Sequence, residues 1–404
     1  MSTSPNPSRP AERLRLLVVA VANSVHTGIY LDLLKDSDWQ VELFDAQYGS
    51  APHPDIPPVR IHTAREHDDD PRYAFTMIPP ESGSSTSVSE RAARLVEVID
   101  EFRPDVIHSH EIQHSGALVD IARGLLGGTL PAPWLQTSWG SDVSMYGRHG
   151  NYIDRIVSVL GAVDYFGSEC HRDVALARAM GFRGDCVGVW PVVGGLDAEH
   201  VRSLSRGGPA SDRGTIAVKG VVGSVGRGDV ALEALERVGR HLEGYEVCTY
   251  QTSEKLEPEF RRVVEENGGN YNCLSTAAAR TVSHDEILAM HGRSRVSLAL
   301  NNTDGMSSSF MEAVAAGSFP VHSEGSCGRE STPAGRGAIF VSATDPDDVA
   351  AALLRALTDD ELVNEAGRIN EFVASEYFDR RRIRARILDM YERIHDHAVL
   401  GAFR

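Results

Sequence analysis

Leu14 to Ala22 is a run of nine residues near the start of the 404-residue chain, and nearly all of its side chains are apolar. A strand that is apolar on both faces is typical of a parallel sheet covered by helices on either side. A turn over Asn23 to Gly28, a helix over Ile29 to Leu34 and a second strand over Gln40 to Asp45 are predicted to follow. The chain therefore begins with a strand–helix–strand unit, which predicts an α/β fold.

The alternation of strands and helices runs through the chain twice, with an interruption between residues 195 and 214. This interruption is rich in Gly, Ser, Arg and Pro, which favours a linker. We predict a disordered head at residues 1–13, Rossmann-like domains at 14–200 and 214–375, and a terminal helix at 376–404. Two open α/β domains place a ligand cleft between them, at the carboxyl ends of their strands.

The charge balance limits the ligands that such a cleft can serve. The chain has 40 Lys and Arg residues against 57 Asp and Glu residues, for a formal net charge of −17. General binding of nucleic acid depends on clustered cations, so nucleic acid is excluded as a partner. A ligand that carries phosphate must find a local cation, and only Lys35, Lys219 and Lys255 are lysines.

The five cysteines form no C-x-x-C pair and are odd in number. This pattern predicts reduced, mostly buried thiols in a cytosolic protein, with neither a disulfide framework nor a zinc site. Residues 1–13 contain no apolar signal core, and the apolar run after them is too short to span a bilayer. We therefore expect a cytoplasmic protein and leave contact with a membrane surface open.

The densest group of chemically useful residues is Asn301 to Ala313, which begins where a predicted strand ends and continues into a helix. Gly305 permits close approach of a ligand, and Met306 to Ser308 present backbone N–H groups at a helix N-terminus, where phosphate binds. Asp304 and Glu312 can accept hydrogen bonds from sugar or ribose hydroxyls. A plain serine cap with solvated acids would use the same residues.

A glycine-rich loop follows another predicted strand and lies between Lys219 and Arg227. Two cations and a set of backbone N–H groups suit a diphosphate. The loop lacks the G-x-x-x-x-G-K-[ST] spacing, so it is not an ATPase P-loop. An ordinary strand–helix turn remains the alternative.

These two segments together resemble the retaining family-4 glycosyltransferases of the GT-B fold. That family has an E-x7-E motif whose second Glu begins the pattern E-A-[MV]-A-x-G-x-P; here Asp304 and Glu312 have the same spacing, and Ala313 to Pro320 follows. The resemblance spans about residues 14 to 395. It implies two Rossmann-like domains with an interdomain cleft and a C-terminal helix that crosses back to the N-terminal domain.

The resemblance also implies roles for individual residues. Lys219 and Arg227 would hold the donor diphosphate, Glu312 the ribose and Asp304 the hydroxyls of the donor sugar. The implied donor-binding residues are Gly28, Lys219, Arg227, Asp304, Gly305, Met306, Ser307, Ser308 and Glu312, and the implied catalytic residues are Lys219, Arg227, Asp304 and His110.

Two positions depart from the family pattern. Asp304 replaces the first Glu of the motif, and Trp139 stands where the family often has a His near the reacting centre. His110 or His114 could serve in its place, and Asp142 could face the acceptor. We assign His26, His114, Trp139 and Asp142 to the acceptor side.

The implied enzyme is a hexosyltransferase that uses a nucleotide-diphosphate sugar as co-substrate, with no cofactor and no metal. The D-x-D matches at Asp68–Asp70 and Asp345–Asp347 lie away from the strand ends, and we expect them to be solvated. The acceptor class stays open between a small molecule, a glycan and a lipid-linked compound, and a homodimer is also left open. The alternatives are a nucleotide-sugar epimerase or another GT-B enzyme, and a catalytically silent subunit that binds nucleotide sugar.

Overall fold

The computed structural model describes residues 13–47, 51–63, 88–205, 208–278 and 282–401. The head predicted at residues 1–13, apart from its last residue, and the acidic run at 68–70 lie outside these ranges. Within them the chain forms two parallel sheets with helices packed around them. The predicted α/β class is confirmed.

The strands, in chain order, are β1 (Arg15–Ala20), β2 (Gln40–Asp45), β3 (Arg60–His62), β4 (Val106–His110), β5 (Trp134–Thr137), β6 (Tyr165–Ser168), β7 (Asp185–Val189), β8 (Thr215–Lys219), β9 (Glu246–Tyr250), β10 (Asn270–Cys273), β11 (Ser294–Ala299), β12 (Phe319–Ser323) and β13 (Ile339–Val341). The α-helices are α1 (Val25–Asp32), α2 (Val88–Phe102), α3 (Ala117–Leu125), α4 (Gly150–Ala162), α5 (His171–Ala179), α6 (Ala198–Leu204), α7 (Gly228–Val238), α8 (Glu257–Glu266), α9 (His284–Arg293), α10 (Ser308–Ala315), α11 (Pro346–Thr358), α12 (Asp360–Val373) and α13 (Arg380–Gly401).

The first sheet has the strand order β3-β2-β1-β4-β5-β6-β7, and its strand pairs are all parallel. β1 lies inside this sheet, with Val18 paired to Leu43 on one side and to His108 on the other. Leu16 and Leu17, on opposite faces of β1, are both fully buried. The apolar run at the start of the chain therefore has the place that its composition predicts.

The second sheet has the order β10-β9-β8-β11-β12-β13, with β8 and β11 in the middle. Sequence reasoning missed β10, whose residues Asn270 to Cys273 are partly exposed. This strand lies at the edge of the sheet, where one face meets water and polar residues are tolerated. Its composition consequently resembles that of a loop.

Two further predictions about elements are wrong. The predicted turn at 23–28 is largely helix, because the Ser24 hydroxyl accepts a hydrogen bond from the His26 N–H (3.2 Å) and starts α1 at Val25. The predicted linker contains α6, which Asp197 caps by accepting hydrogen bonds from two backbone N–H groups. Local side-chain caps, rather than overall composition, determine where these helices begin.

The last helix returns to the first domain, as the GT-B resemblance implies. Ile383, Ile387 and Tyr391 of α13 belong to the same apolar cluster as Leu16 and Val18 of β1. The two chain segments that pass between the domains are also hydrogen-bonded to each other. The Leu196 N–H donates to the Phe378 carbonyl (2.7 Å), and the Arg380 N–H donates to the Leu196 carbonyl (3.0 Å).

Several arginines of α13 have partners inside the protein. Arg380 donates to the Asp32 carboxylate (2.8 Å), and Arg384 donates to the Leu33 carbonyl (2.9 Å). These two residues bind the helix to the end of α1 rather than forming a purely solvated face. No helix in the described ranges combines the length and the apolar character needed to cross a membrane.

Candidate active site

The glycine-rich loop after β8 and the motif after β11 are in contact. The Asn302 N–H donates to the Val225 carbonyl (2.8 Å), and the Arg227 N–H donates to the Leu300 carbonyl (3.0 Å). β8 and β11 are adjacent parallel strands, so their carboxyl ends lie at the same edge of the sheet. The two segments that carry the family resemblance thus form one surface.

Lys219 ends β8 and is half-buried. Its charge affects groups from both domains. Burial and then the positive charge of Lys219 lower the pKa of His26, on α1, to about 4. Burial lowers the pKa of His322, at the end of β12, to about 4, and Lys219 contributes to this shift. Burial raises the pKa of Asp304, while Lys219 acts in the opposite direction. Lys219 is therefore a cation at the meeting point of the two domains.

Arg227, the other predicted diphosphate ligand, already has an acidic partner. Its Nε and Nη2 atoms donate to the two oxygens of Asp229 at 3.0 Å each, and its Nη1 reaches the Asn302 amide oxygen at 3.5 Å. The hydrogen bond and charge of Asp229 raise the pKa of Arg227. Arg227 faces the motif loop, but Asp229 neutralises much of its charge.

Asp304 organises the loop in which it lies. One of its oxygens accepts from the Gly305 N–H (2.9 Å) and the other from the Asn301 side-chain amide (2.9 Å). Gly305 has no room for a side chain, since an added Cβ would lie 2.1 Å from an oxygen of Glu169. The loop is thus pressed against a residue of the first domain.

Helix α10 begins at Ser308, directly after Met306 and Ser307. The N–H groups in the first turn of an α-helix have no partner within the helix, so this turn provides donors for an anion. Glu169 lies close by and accepts hydrogen bonds from the N–H groups of Val192 and Met306. Burial, together with the nearby Asp304, raises the pKa of Glu169 well above its usual value.

Glu312 lies on α10 with two histidines of α9. His284 Nε2 is 2.9 Å from one oxygen of Glu312, and His291 Nε2 is 3.7 Å from the other. Burial alone would raise the pKa of Glu312, but the hydrogen bond with His284 and the electrostatic influence of both histidines lower it to about 2. Glu312 is therefore a carboxylate at neutral pH, and His284 is a neighbour that sequence reasoning missed.

On the first domain, the side chains of His26 and Trp139 are in edge-to-face contact, with their ring centres 5.4 Å apart. The Trp139 indole nitrogen and His26 Nδ1 are buried and have no hydrogen-bond partner among the described residues. Gly28 packs against the backbone of Asp55, which an added Cβ would approach to 3.1 Å. Two of the predicted acceptor-side residues are thus direct neighbours.

The other acceptor-side candidates differ in their surroundings. His110 is buried between the rings of Tyr30 and His108, and burial lowers its pKa to about 3. His114 lies 3.3 Å from Glu111; burial alone would lower the pKa of His114, but Glu111 raises it. Glu111 itself has a positive φ of 60° and caps the turn at Ile112–Gly116.

Asp142 is buried and serves the local backbone. Its Oδ2 atom accepts from the N–H groups of Trp139 (2.8 Å) and Ile112 (3.0 Å). Burial and the neighbouring Glu111 raise the pKa of Asp142 well above its usual value. Asp142 thus fixes the loop that carries Trp139, and its proposed contact with an acceptor remains a prediction.

Arg172, at the start of α5, joins the two domains and was missed in the sequence. Its guanidinium donates to the carbonyl oxygens of Asp304 (2.9 Å) and Gly325 (2.7 Å) in the second domain. It also pairs with the neighbouring Asp173. Because Arg172 binds carbonyl oxygens far away in the sequence, no local motif could have revealed this contact.

Comparisons with known proteins bear on the fold and on the family that the chain resembles. Residues 25–189 match the model of the glycosyl transferase 4-like domain family. A search of curated proteins gave no significant match. The matched segment covers most of the first sheet and includes the four residues predicted for the acceptor side, His26, His114, Trp139 and Asp142. The match covers 165 of the 404 residues, all in the first domain, and shows a likeness of that domain to the family.

Solved structures of similar fold cover nearly the whole chain. A trehalose 6-phosphate synthase from Burkholderia multivorans has a TM-score of 0.69 at 16% identity, covering 97% of this chain and 99% of its own. Sucrose-phosphate synthase from Thermosynechococcus elongatus has a TM-score of 0.64 at 15% identity, covering 94% and 99%. HepE from Anabaena, solved with UDP, has a TM-score of 0.68 at 12% identity, covering 94% and 100%. At these identities the likeness establishes the GT-B fold.

Proposed function

We propose that this protein transfers a hexose from a nucleotide-diphosphate sugar to an acceptor hydroxyl, with retention of configuration and without a metal ion. The observation that carries the proposal is the position of Lys219. Its charge acts on His26 of the first domain and on Asp304 and His322 of the second. The diphosphate of a donor bound there would lie between the domains, and the anomeric carbon of the attached sugar would face the acceptor side.

In this proposal Lys219 and the first turn of α10 bind the diphosphate. They stabilise the charge that develops on the leaving phosphate. Preorganised donors of this kind account for much of the decrease in activation free energy that an enzyme achieves. Arg227 would contribute by exchanging Asp229 for a phosphate oxygen, or by binding phosphate with Asp229 still attached. A cation already in place would do the work that a metal ion does in other enzymes.

Asp304 and Glu312 would bind the hydroxyls of the donor. Asp304 already accepts hydrogen bonds from Asn301 and Gly305 of its own loop, and a carboxylate has about four lone-pair sites, so it could also accept from a sugar hydroxyl. Glu312 would accept from the ribose. His284 would have to move aside for the ribose or share Glu312 with it, and its largely exposed side chain leaves it free to do either.

The acceptor would bind against His26 and Trp139. The low pKa of His26 makes it neutral at physiological pH, so it can donate or accept a hydrogen bond but adds no charge. The leaving phosphate would take the acceptor proton on the face from which it departs. That route requires no basic histidine at the position of Trp139.

The choice of nucleotide can begin from the structural neighbours. HepE was solved with UDP and with UDP-glucose, which makes UDP the first nucleotide to test here. A thermal-shift screen with the glucose conjugates of UDP, GDP, ADP and dTDP would identify the base, since a ligand that binds only the folded protein raises its stability.

The decisive variant is Lys219→Ala. We expect it to lower turnover of the preferred donor by about 100-fold or more, because it removes the charge that stabilises the leaving diphosphate. Lys255→Ala, a change at an exposed lysine, is the matched control and should behave as wild type. NMR of the product would show whether the anomeric configuration is retained, and activity should not require added Mg²⁺ or Mn²⁺.

Equal turnover in Lys219→Ala and Lys255→Ala would disprove the diphosphate assignment, and a strict requirement for added Mg²⁺ or Mn²⁺ would disprove the metal-free chemistry. The second candidate function is a catalytically silent subunit that binds nucleotide sugar. Trp139, at the position of the family His, favours it. A donor-induced thermal shift without turnover on any acceptor class would support that candidate.

A further inference from the structure

Two cysteines from different domains lie side by side next to the loop of Asp304 and Gly305, which we call the donor loop. Cys170 precedes α5 in the first domain, and Cys327 follows β12 in the second. Their sulfur atoms and a carboxylate oxygen of Glu330 all lie within 4.8 Å of one another. Both cysteines are buried, whereas Glu330 is exposed. The three side chains form a cluster that opens to solvent on the side of the carboxylate.

The backbone around this cluster holds the carboxylate in one orientation. The N–H groups of His171 and Arg172, at the start of α5, donate to the two oxygens of Glu330 at 2.7 and 2.9 Å. Carboxylates that bind metals are commonly held in this way by hydrogen bonds from a second layer. The charge of Arg172 is balanced by its ion pair with Asp173 (2.8 Å), so the cluster does not face an isolated cation.

We propose that Cys170, Cys327 and Glu330 form a zinc-binding site that joins the two domains. Tetrahedral Zn²⁺ takes thiolate ligands at about 2.3 Å and carboxylate oxygen at about 2.0–2.2 Å, which places ligand atoms roughly 3.4–3.8 Å apart. The three ligand atoms of this cluster lie within 4.8 Å of one another, and rotation of their side chains would have to bring them to the shorter spacing. Two sulfurs and one oxygen suit Zn²⁺ better than Mg²⁺ or Ca²⁺, which prefer oxygen ligands. Water takes the fourth position, on the exposed side.

The site has a structural role, separate from the diphosphate chemistry. The Cys327 N–H donates to the Gly305 carbonyl (2.9 Å). A metal ion bound by Cys327 is therefore connected to the Asp304–Gly305 loop through this hydrogen bond. Through Cys170 the same ion is fixed to α5 of the first domain. Zn²⁺ therefore holds the donor loop against the first domain and stabilises the closed arrangement.

The test uses full-length protein, freed of metal under reducing and anaerobic conditions, with Co²⁺ and Zn²⁺ as probes. We expect one Co²⁺ per chain, with the thiolate-to-cobalt charge-transfer band and the d–d bands of tetrahedral coordination. Zn²⁺ should displace Co²⁺ and raise the melting temperature. Loss of a ligand in Cys170→Ser, Cys327→Ser or Glu330→Gln should weaken binding by more than the roughly 10–100-fold that loss of an outer-layer partner costs.

Cys186→Ser changes an exposed cysteine and is the matched control, which should bind Co²⁺ as wild type does. Glu330→Gln changes an exposed side chain and keeps an oxygen that can accept a hydrogen bond. It therefore tests the site even if the variants of the buried cysteines fail to fold. Three results would overturn the proposal. They are no charge-transfer band in wild type, Co²⁺ binding that survives both Cys170→Ser and Cys327→Ser, and a disulfide between the two cysteines that persists under the reducing conditions and prevents metal binding. The metal readout does not depend on turnover, so it can fail while the proposed glycosyltransferase activity stands.

Discussion

Individual residues in this protein have protonation states that their neighbours determine. His26 is half-buried and His322 is buried, and the charge of Lys219 adds to the effect of burial, so each remains neutral down to about pH 4. Glu312, also buried, remains charged because His284 and His291 surround it. Residue types alone do not predict this outcome, since it depends on which charge lies next to which buried group.

Asp45, at the end of β2, gives a test of this point through pH. Burial raises its pKa to about 7, and hydrogen bonds from the N–H groups of Ala22 and Gln47 only partly oppose the shift. The folded protein therefore keeps a proton that the unfolded chain, with an ordinary Asp pKa near 3.8, has released. It follows that Asp45 makes the free energy of unfolding fall as pH rises from about 4 to about 7.

Asp45→Asn should remove this fall, because Asn is neutral and keeps an oxygen to accept both hydrogen bonds. We expect the variant to gain stability relative to wild type as pH rises, by a few kcal/mol at most, since one pKa unit corresponds to about 1.4 kcal/mol. Urea unfolding between about pH 5 and pH 8 measures the difference. Asp38→Asn, at an exposed position, is the control; a pH-independent difference between Asp45→Asn and wild type would contradict the shift.

At the scale of elements, α5 acts as the connection between the donor loop and the first domain. Its N-terminal N–H groups bind Glu330, and Arg172 binds carbonyl oxygens of the Asp304 and Gly325 loops. The sequence pattern predicts a helix over residues 172 to 180 and nothing more about it. Its function as a connector arises only when the second domain is placed against it.

Arg172→Ala should loosen the donor loop. We expect kcat/KM for the donor to fall by about 10- to 100-fold, because small displacements of positioning groups are costly. The free energy of unfolding should fall by about 1–3 kcal/mol, as buried carbonyls lose a charged donor. Steady-state kinetics and chemical unfolding provide the two measurements.

Two controls make the result specific. Arg178→Ala changes an arginine of the same helix that donates to Gly184 within the first domain, and it should leave donor kinetics unchanged. Arg172→Lys keeps the charge but cannot reach two carbonyls in a planar arrangement, so its kinetics should be intermediate. Wild-type kcat/KM in Arg172→Ala would rule out a positioning role.

For the whole molecule, one tight contact between the two domains is between two glycines, Gly140 and Gly305. A Cβ added to Gly140 would lie 1.9 Å from the Gly305 backbone nitrogen and 2.7 Å from its Cα. Backbone atoms cannot move aside as the end of a flexible side chain can. The hydroxyls of Ser144 and Thr303, hydrogen-bonded at 2.7 Å, mark the same contact.

Gly140→Ala should therefore hold the domains apart or displace the Asp304 loop. We expect turnover to fall by about 100-fold, since a displacement of about 1 Å at reacting groups has that effect. The two sheets should remain folded, as circular dichroism would show, while small-angle scattering should report a more open molecule. Gly161→Ala is the control, since its added Cβ meets no atom within 4 Å; if Gly140→Ala kept wild-type turnover, closure at this contact would not matter.

The sequence by itself determined the α/β class, the two parallel sheets and the position of the Asp304 to Glu312 motif at a strand end. It did so because strand burial, helix periodicity and glycine at tight turns depend on residues close together in the chain. It placed β2 at its observed bounds of Gln40–Asp45 but missed the Ser24 cap, the edge strand β10 and the helix within the linker.

Only the tertiary structure decided which residues meet across the cleft. Arg172 and Asp304 are 132 positions apart, and Cys170 and Cys327 come from different domains, so neither spacing nor composition connects them. The same holds for the neutral state of His26 and for the partners of Glu312, because burial and the arrangement of charges set both. Contacts between distant parts of the chain depend on how two separately folded sheets pack together, and local sequence patterns do not specify that packing.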